Sequence, residues 1–451
     1  MCRRLLIFLW ILSFAACGRR ETPVLVDAPV KAGIEVDPLL EGVDLAGMSV
    51  GYCVLDERGE LMWQKQAHTA FIPASALKTL TTATALEMLG PKFVFETELR
   101  SAKPANGVIE GDVWIIGGGD PRLSTDDLRS MAAKMAQLGV KTIRGRVRGD
   151  GSLFGSGLYN NFWNWGDIGN GYGSGVCGLN VDHNRWTVRF QPGVRAGAPA
   201  RLLSRLEGVE LVNEVITGPA GSGDGVNIYG GERAKTLFLR GSVPLQPQPF
   251  EVRGALPDPV GTAVRVLAEA LRDAGVGIEG KESRDGAASH VLLKHESPPL
   301  IEIVRSIHAT SDNHESECFF RMLGVKGGRD AESVLRAHWK ARGLSFSALR
   351  MEDGCGLARA DYVTPHDLAR VQFLAGQGPA GRDYRESLLS NDEVRWKGGA
   401  MSGVRTWTGW IRLPEGGERA FALMVNHFSD VQAADDLRDR LLLLARRERL
   451  R

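Results

Sequence analysis

The chain has 451 residues, of which 43% are hydrophobic and 24% are charged, so it is long enough for several domains with substantial cores. Its formal net charge at pH 7 is only +1, which gives no indication of nucleic-acid binding or of a polybasic membrane patch. Beyond the first 17 residues, no apolar stretch reaches the length of about 18 residues that a membrane-spanning helix needs.

The N-terminus has the features of a bacterial lipoprotein signal peptide over residues 1–17. Two arginines precede an apolar run of twelve residues, which is too short to span a bilayer but typical of a signal peptide. The run ends in Phe-Ala-Ala immediately before Cys17, so we expect cleavage there and lipidation of Cys17. Ordinary secretory cleavage nearby is the alternative, because Phe14 replaces the usual leucine. Both interpretations export the protein, and residues 18–45 then form a polar tether.

A β-hairpin and a helix are predicted to follow the tether. The segments MSVGYCVLD and LMWQKQ flank a turn at residues 57–60, which is a hairpin pattern. The segment ASALKTLTTATALEM predicts a helix over about 74–88, and Leu-Gly-Pro stops it.

Residues 92–290 are expected to form a β-rich insertion, with a smaller domain nested at about 157–245. Short strand-like segments alternate there with glycine turns, and two helices are predicted near 124–138 and 259–274. The aromatic loop YNNFWNWGDIG lies within the insertion. We expect Trp163 and Trp165 to pin this loop to the domain, and stacking on a sugar is the alternative.

Helices return from about residue 298, and the chain closes with two strand-like segments and a final helix. The strands are predicted in WKGGAMSGVRTWTGWIRLP and RAFALMVNHF. Strands near both ends of the mature chain indicate one sheet built from both. We therefore predict an α+β domain made of residues 46–91 and 291–451, which carries the three motifs described below.

The cysteines and histidines give no metal-binding pattern, and no metal or organic cofactor is expected. Besides Cys2 and Cys17, the four remaining cysteines are far apart and lack C-x-x-C spacing, so no disulfide is assigned from spacing. His308 and His314 flank a short polar motif, and we expect both on helix surfaces rather than as ligands.

Three short motifs occur in a fixed order along the chain. The first is Ser75-Ala76-Leu77-Lys78, whose spacing allows the two polar side chains to touch on one helical face. A buried, neutral lysine can accept a proton from such a serine and make it a nucleophile. Ser-x-x-Lys alone is nevertheless frequent by chance, and packing explains it equally well.

The second motif is Ser311-Asp312-Asn313, and the third is Lys397-Gly398-Gly399 at the start of a predicted strand. Each alone has an ordinary structural explanation, as a helix cap or a turn. Together and in this order the three motifs are the signature of penicillin-binding proteins and class A β-lactamases.

The sequence resembles one branch of these proteins, the D-alanyl-D-alanine carboxypeptidase/endopeptidase family (class C low-molecular-mass penicillin-binding proteins, peptidase family S13). The resemblance runs from about residue 48 to 428. It is carried by the segments FIPASALKTLTTATALEMLG, GGGDPRL, FWNWGDI, SPPLIEIVRSIHATSDN and DGCGLARADYVTP. It implies a β-lactamase/transpeptidase-like fold, an antiparallel sheet flanked by helices. It also implies peptidoglycan stem peptides and crosslinks as substrates and β-lactams as covalent inhibitors.

The resemblance also implies a role for each motif residue. Ser75 attacks the D-Ala carbonyl, Lys78 is the general base, Ser311 relays a proton, Asn313 holds the substrate amide, and Lys397 supplies positive charge. The backbone N–H groups of Ser75 and Ala400 would form the oxyanion hole. Asp312, Gly398, Gly399 and Arg405 are the further candidates for substrate contact, with Arg405 able to bind a terminal carboxylate.

The chain departs from the family pattern where hydroxyl groups bind substrate. The usual K-T-G followed by Thr or Ser reads Lys-Gly-Gly-Ala at 397–400, and D-G-S-G-L-S-R reads DGCGLAR at 353–359. A charge-assisted hydrogen bond is worth roughly 1.5–3 kcal/mol, so its loss would weaken carboxypeptidase activity by about 10- to 150-fold. Two interpretations stay open: an active serine hydrolase, or a weakly active or non-catalytic cell-wall-binding lipoprotein of the same fold.

Overall fold

The computed structural model describes residues 39, 40, 45, 47–281 and 289–447. The predicted signal peptide with Cys17, and nearly all of the tether, lie outside the described residues. Among the helices of the described part, none is both long and apolar enough to cross a membrane.

The predicted helices and strands are largely confirmed. The helices are α1 Lys78–Leu89, α2 Thr125–Gln137, α3 Pro259–Asp273, α4 Leu300–Thr310, α5 Asn313–Gly327, α6 Ala331–Ala341, α7 Pro365–Gly376, α8 Gly381–Ser387 and α9 Val431–Arg447. The strands are β1 Ser49–Leu55, β2 Leu61–Lys65, β3 Glu96–Ser101, β4 Val108–Ile109, β5 Val113–Ile116, β6 Thr142–Ile143, β7 Val147–Asp150, β8 Arg185–Gln191, β9 Arg201–Leu202, β10 Glu210–Gly218, β11 Asn227–Tyr229, β12 Thr236–Pro244, β13 Phe250–Ala255, β14 Gly277–Ile278, β15 His290–Glu296, β16 Leu389–Ser390, β17 Val394–Met401, β18 Val404–Arg412 and β19 Glu418–Asn426.

A six-stranded sheet joins the two ends of the chain, as predicted. Its strand order is β16-β17-β18-β19-β1-β2, and β1 pairs antiparallel with β19. Side chains alternate between its two faces, because successive residues of a strand point to opposite sides. Cys53, Ala422 and Met424 face the large core with α1, α4, α5 and α7, whereas Tyr52 and Leu423 face α9.

Helix α1 lies in the middle of this large core, and its polar residues explain how it can be buried on all sides. A helix surrounded by protein must be apolar all round or have its polar groups satisfied. The hydroxyls of Thr79, Thr81, Thr82 and Thr84 donate to the carbonyls of Ala76, Gly354, Lys78 and Leu80, respectively. The expected helix over 74–88 begins as a 3-10 turn over Ala74–Leu77, which continues into α1.

The insertion contains the other four sheets, with strand orders β15-β3-β5-β7, β14-β6-β4, β13-β8-β9 and β10-β12-β11. Strand β15 pairs antiparallel with β3, so it belongs to the insertion rather than to the catalytic domain. We therefore propose that the insertion ends at about residue 296, six residues beyond the expected boundary at 290.

The insertion has two separate hydrophobic cores. One packs α2 and α3 against the four-stranded sheet, and it includes Leu99, Ile115 and Leu267. The other runs from Val188 to Val252 and is formed by the strands β8 to β13. We propose this second unit as the nested domain, beginning nearer 185 than the expected 157.

Candidate active site

The nucleophile candidate Ser75 lies in the 3-10 turn that precedes α1. Ala74, just before it, has a positive φ of 46°, a conformation that non-glycine residues rarely adopt. The tight turn brings the Oγ atom of Ser75 within 2.8 Å of the Nζ atom of Lys78. The expectation that these two side chains touch therefore agrees with the geometry.

Lys78 is fully buried, and its amine has three oxygen partners. Besides Ser75, its Nζ atom lies 2.6 Å from the Oδ1 atom of Asn313 and 2.6 Å from the carbonyl oxygen of Cys355. Burial lowers the pKa of Lys78, and the nearby Cys355 and Asp353 oppose that shift. A neutral amine has two N–H groups and one lone pair. With the N–H groups on the two carbonyl-type oxygens, the lone pair faces the Ser75 hydroxyl.

The Ser-Asp-Asn motif forms the junction between α4 and α5. Ser311 ends α4 in the left-handed conformation with a φ of 60°, and Asp312 caps the N-terminus of α5. This sharp turn projects Ser311 and Asn313 toward the site. Asn313 also donates from Nδ2 to the carbonyl oxygen of Tyr172, which fixes the orientation of its amide.

Lys397 joins the third motif to the second. Its Nζ atom donates to the Oγ atom of Ser311 over 2.9 Å and to the carbonyl oxygen of Gly398 over 2.7 Å. Only 3% of the residue is exposed, and burial, followed by the electrostatic effect of the neighbouring Lys78 amine when it is protonated, lowers the pKa of Lys397 to about 7. Lys397 and Ser311 thus form a second lysine–serine pair in addition to that of Lys78 and Ser75.

Strand β17 passes directly against the Ser75 turn. A Cβ atom on Gly399 would lie 2.5 Å from the carbonyl oxygen of Pro73 and 2.9 Å from the backbone nitrogen of Ser75, so only glycine fits there. Because Gly399 lies against the Ser75 turn, the backbone of the next residue, Ala400, which is exposed, also lies beside the nucleophile segment. This arrangement suits the expected oxyanion hole.

The remaining candidates differ in what surrounds them. A Cβ atom on Gly398 would have no neighbour nearer than 3.9 Å, so that position is open. Arg405 lies opposite Ala400 in the β17–β18 register, where its guanidinium donates to the Val404 carbonyl. Ser75, Lys78, Ser311, Asn313 and Lys397 are brought together by the contacts given above.

Asp312 contributes to structure rather than offering a free carboxylate. Its Oδ2 atom pairs with Arg185 of the insertion over 2.7 Å, and its Oδ1 atom accepts from the backbone of Glu315 over 3.0 Å. Burial raises the pKa of Asp312, but the charge of Arg185 outweighs it and holds the pKa well below the usual range. Its carboxylate thus joins the Ser-Asp-Asn junction to the insertion, and its expected role in substrate contact stays a prediction.

Sequence reasoning missed several groups that support the motif residues, and it placed two histidines wrongly on the surface. Arg185, the carbonyl of Tyr172 and the carbonyl of Cys355 support the motif residues, but carbonyl roles leave no trace in residue identity. The expected surface positions of His308 and His314 are wrong, since both are at most 1% exposed. Burial lowers the pKa of His308 to about 3, so its ring is a neutral link between the hydroxyls of Thr82 and Ser387.

A cavity of about 390 Å³ opens where the Ser-Asp-Asn junction meets the insertion. Its lining includes Tyr172, Arg185, Arg253, Ser311 and Asn313. The Ser-Asp-Asn motif and polar groups of the insertion thus line one shared cavity.

The fold and the site together indicate the penicillin-binding class of serine hydrolases. The chain belongs to the D-Ala-D-Ala carboxypeptidase 3 (S13) family, whose model matches residues 33–390. The expected family and the β-lactamase/transpeptidase-like α+β fold are thereby confirmed.

Individual relatives agree with this assignment. A D-alanyl-D-alanine carboxypeptidase of Actinomadura sp. is 30% identical over 456 residues, covering 90% of this chain and 84% of the relative. The D-alanyl-D-alanine carboxypeptidase DacB of Haemophilus influenzae is 25% identical and covers 92% of each chain. The crystal structure of penicillin-binding protein 4 from H. influenzae has the same fold, with a TM-score of 0.77, 21% identity, and coverage of 91% and 99%. That protein has also been solved in complex with a β-lactam.

Proposed function

We propose that this protein is a serine D-Ala-D-Ala carboxypeptidase/endopeptidase that cleaves peptidoglycan stem peptides or crosslinks through an acyl-enzyme on Ser75. The observation that carries the proposal is the bonding of Lys78, whose amine contacts Ser75, Asn313 and the Cys355 carbonyl at once. A merely structural lysine would be paired with a carboxylate or reach solvent. This buried amine instead faces a hydroxyl in a turn.

The steps follow from this geometry. Lys78 takes the proton of Ser75 as Oγ attacks the D-Ala carbonyl, and the N–H groups of Ser75 and Ala400 stabilise the oxyanion. Asn313 holds the substrate amide. The proton that Lys78 took passes through Ser311, which Lys397 contacts, to the leaving amine, and Lys78 is then neutral again. Water then hydrolyses the ester, with Lys78 as the base again.

The Lys-Gly-Gly-Ala sequence supports slow hydrolysis and little preference for a terminal acid over the corresponding amide. The two hydroxyls that would bind a terminal carboxylate are absent, whereas the backbone groups of the oxyanion hole do not depend on side chains. A D-Ala–diaminopimelate crosslink also carries a carboxylate beside its leaving amine, so the missing hydroxyls would slow its cleavage as well.

The N-terminal sequence supports export and anchoring through a lipid on Cys17, which would place the enzyme on the periplasmic face of a bacterial membrane. The described catalytic part would then act on the cell wall while tethered by residues 18–45. β-Lactams would acylate Ser75, because they present a strained amide to the same nucleophile.

Release of D-alanine from a stem pentapeptide tests the proposal. The purified protein should release D-alanine and cleave a D-Ala–diaminopimelate crosslink, whereas Ser75→Ala should do neither while remaining folded. If the wild type binds cell wall but releases no product from either substrate, the non-catalytic interpretation is correct.

A further inference from the structure

A buried carboxylate lies behind the catalytic lysine and belongs to none of the three motifs. Asp353 is the first residue of a tight turn over residues 353–358, which we call the Asp353 turn. Its Oδ1 atom accepts from the backbone nitrogens of Cys355 and Gly356 over 2.8 and 2.6 Å. Its Oδ2 atom accepts from the backbone nitrogen of Ala358 over 2.8 Å and from the indole Nε1 of Trp163 over 2.7 Å. Three donors therefore come from the turn and the fourth from the insertion.

The Asp353 turn contacts the expected base and the residue that precedes the expected nucleophile. The carbonyl oxygen of Cys355 accepts from the Nζ atom of Lys78 over 2.6 Å. Gly356 has a φ of +77°, and a Cβ atom there would overlap the carbonyl oxygen of Ala74, the residue before Ser75. The turn thus sets the position of the base and supports the segment that carries the nucleophile.

Further hydrogen bonds hold the turn in one conformation. The carbonyl oxygen of Gly354 accepts from the hydroxyls of Thr81 and Ser316, each over 2.7 Å, and its nitrogen donates to Glu317. Glu317, Asp353 and Cys355 are close enough to hold a metal ion. Because four N–H groups already occupy the Asp353 oxygens, the donor set fits hydrogen-bonded support better than a metal site.

We propose that Asp353 is a positioning residue for the reaction, and that Trp163 ties it to the insertion so that the insertion controls the placement of Lys78. This inference rests on the proposed function, since it assigns Lys78 the role of base. The chain of contacts runs from Trp163 to Asp353, through the turn to the Cys355 carbonyl, and on to Lys78. A substrate that shifts the insertion would therefore shift the base.

Asp353 acts on Lys78 through charge as well as geometry. Burial is the main cause of the lowered pKa of Lys78, and the groups that oppose it are Cys355, Asp353, Asp312 and Asp361. Removing that charge should lower the pKa of Lys78 further. The acidic limb of the acylation profile, where Lys78 must lose its proton, should then move to lower pH.

The test compares the acylation rate constant for a labelled penicillin in two variants of neighbouring tryptophans. Trp163→Phe keeps a ring in the pocket with Cys355 and Ala358 but removes the N–H that Asp353 accepts. Trp165→Phe makes the same change in a side chain whose residue is 62% exposed. At a temperature where all proteins are fully folded, Trp163→Phe should acylate about 5- to 10-fold more slowly than wild type, and Trp165→Phe should match wild type.

Asp353→Asn adds a readout that a purely structural role would not produce. The acidic limb of its acylation pH–rate profile should lie at lower pH than that of wild type, and the plateau of the profile should be lower. If this variant does not fold, the comparison of the two tryptophan variants still tests whether the contact between Trp163 and Asp353 affects acylation. Equal rates for Trp163→Phe and Trp165→Phe would overturn the inference alone. A wild type that no penicillin labels would overturn the proposed function and this inference with it.

Discussion

Restoring the two missing hydroxyls on β17 should convert the enzyme toward carboxypeptidase activity. The double variant Gly398→Thr/Ala400→Thr supplies hydroxyl donors where a terminal carboxylate is expected to bind. The structure accepts both changes: a Cβ atom at 398 has no neighbour within 3.9 Å, and residue 400 is exposed. Neither position has the positive φ that would penalise a β-branched residue.

The expected size of the gain follows from one hydrogen bond to a charged group, roughly 1.5–3 kcal/mol. Allowing for imperfect geometry, kcat/KM for a D-Ala-D-Ala acid should rise about 10-fold or more, while kcat/KM for the corresponding amide stays nearly constant. The assay is the ratio of the two values in wild type and double variant. Gly399→Ala is the matched control, because a Cβ atom there meets Pro73 and Ser75 and should abolish activity with both substrates.

A wild type that already prefers the acid strongly would refute this reasoning. The carboxylate would then be bound elsewhere, with Arg405 as the next candidate, since it lies opposite Ala400 in the strand register. Arg405→Ala would in that case remove the preference, and the missing hydroxyls would carry no functional information.

Four further outcomes are expected. Lys78→Met should reduce penicillin acylation by about 10²–10⁴-fold, the usual contribution of a general base, in a protein whose circular dichroism spectrum is unchanged; a reduction of only a few-fold would assign the base elsewhere. Because the pKa of Lys397 is about 7, the positive charge that would attract a substrate carboxylate is present below pH 7 and is lost above it. The ratio of kcat/KM for the acid to kcat/KM for the amide should therefore fall as the pH rises through 7, and it should not change with pH in Lys397→Ala. Arg185→Ala should lose about 1–3 kcal/mol of unfolding free energy at pH 7 because it leaves the Asp312 carboxylate buried without its partner. The folded pKa of Asp312 lies below its ordinary value of 3.8, so the stabilisation by Arg185 is present above pH 4 and is lost in acid. In urea unfolding, the difference in free energy between wild type and Arg185→Ala should therefore shrink below about pH 4. Cys17→Ser should move the exported protein from the membrane fraction to the soluble fraction, and continued membrane association after cleavage of the leader would contradict lipidation.

Contacts and strand pairings are predicted best from the sequence where they depend on the types of the side chains and on their spacing. The spacing of Ser75 and Lys78 predicted their contact, and strand patterns at both ends predicted the pairing of β1 with β19. The sequence predicts poorly where backbone groups act. The Cys355 carbonyl that holds Lys78 has the same chemistry in every residue, so no pattern marks it.

Interfaces between domains were equally hidden from sequence reasoning. Arg185 and Asp312 are 127 residues apart, and only the fold brings the insertion against the Ser-Asp-Asn junction. The same packing buries His314, which a flanking position in a polar motif had placed on the surface. Trp163 is buried and bonded to Asp353, as a loop-pinning residue should be, whereas its neighbour Trp165 is exposed.

Mass spectrometry after incubation with a penicillin tests the central claim most directly. Peptide mapping of the wild type should show one covalent adduct, the mass of the intact penicillin, on the peptide that contains Ser75. The adduct should be absent from Ser75→Ala. An adduct on another residue, or labelling that survives in Ser75→Ala, would contradict the assignment of Ser75 as the nucleophile.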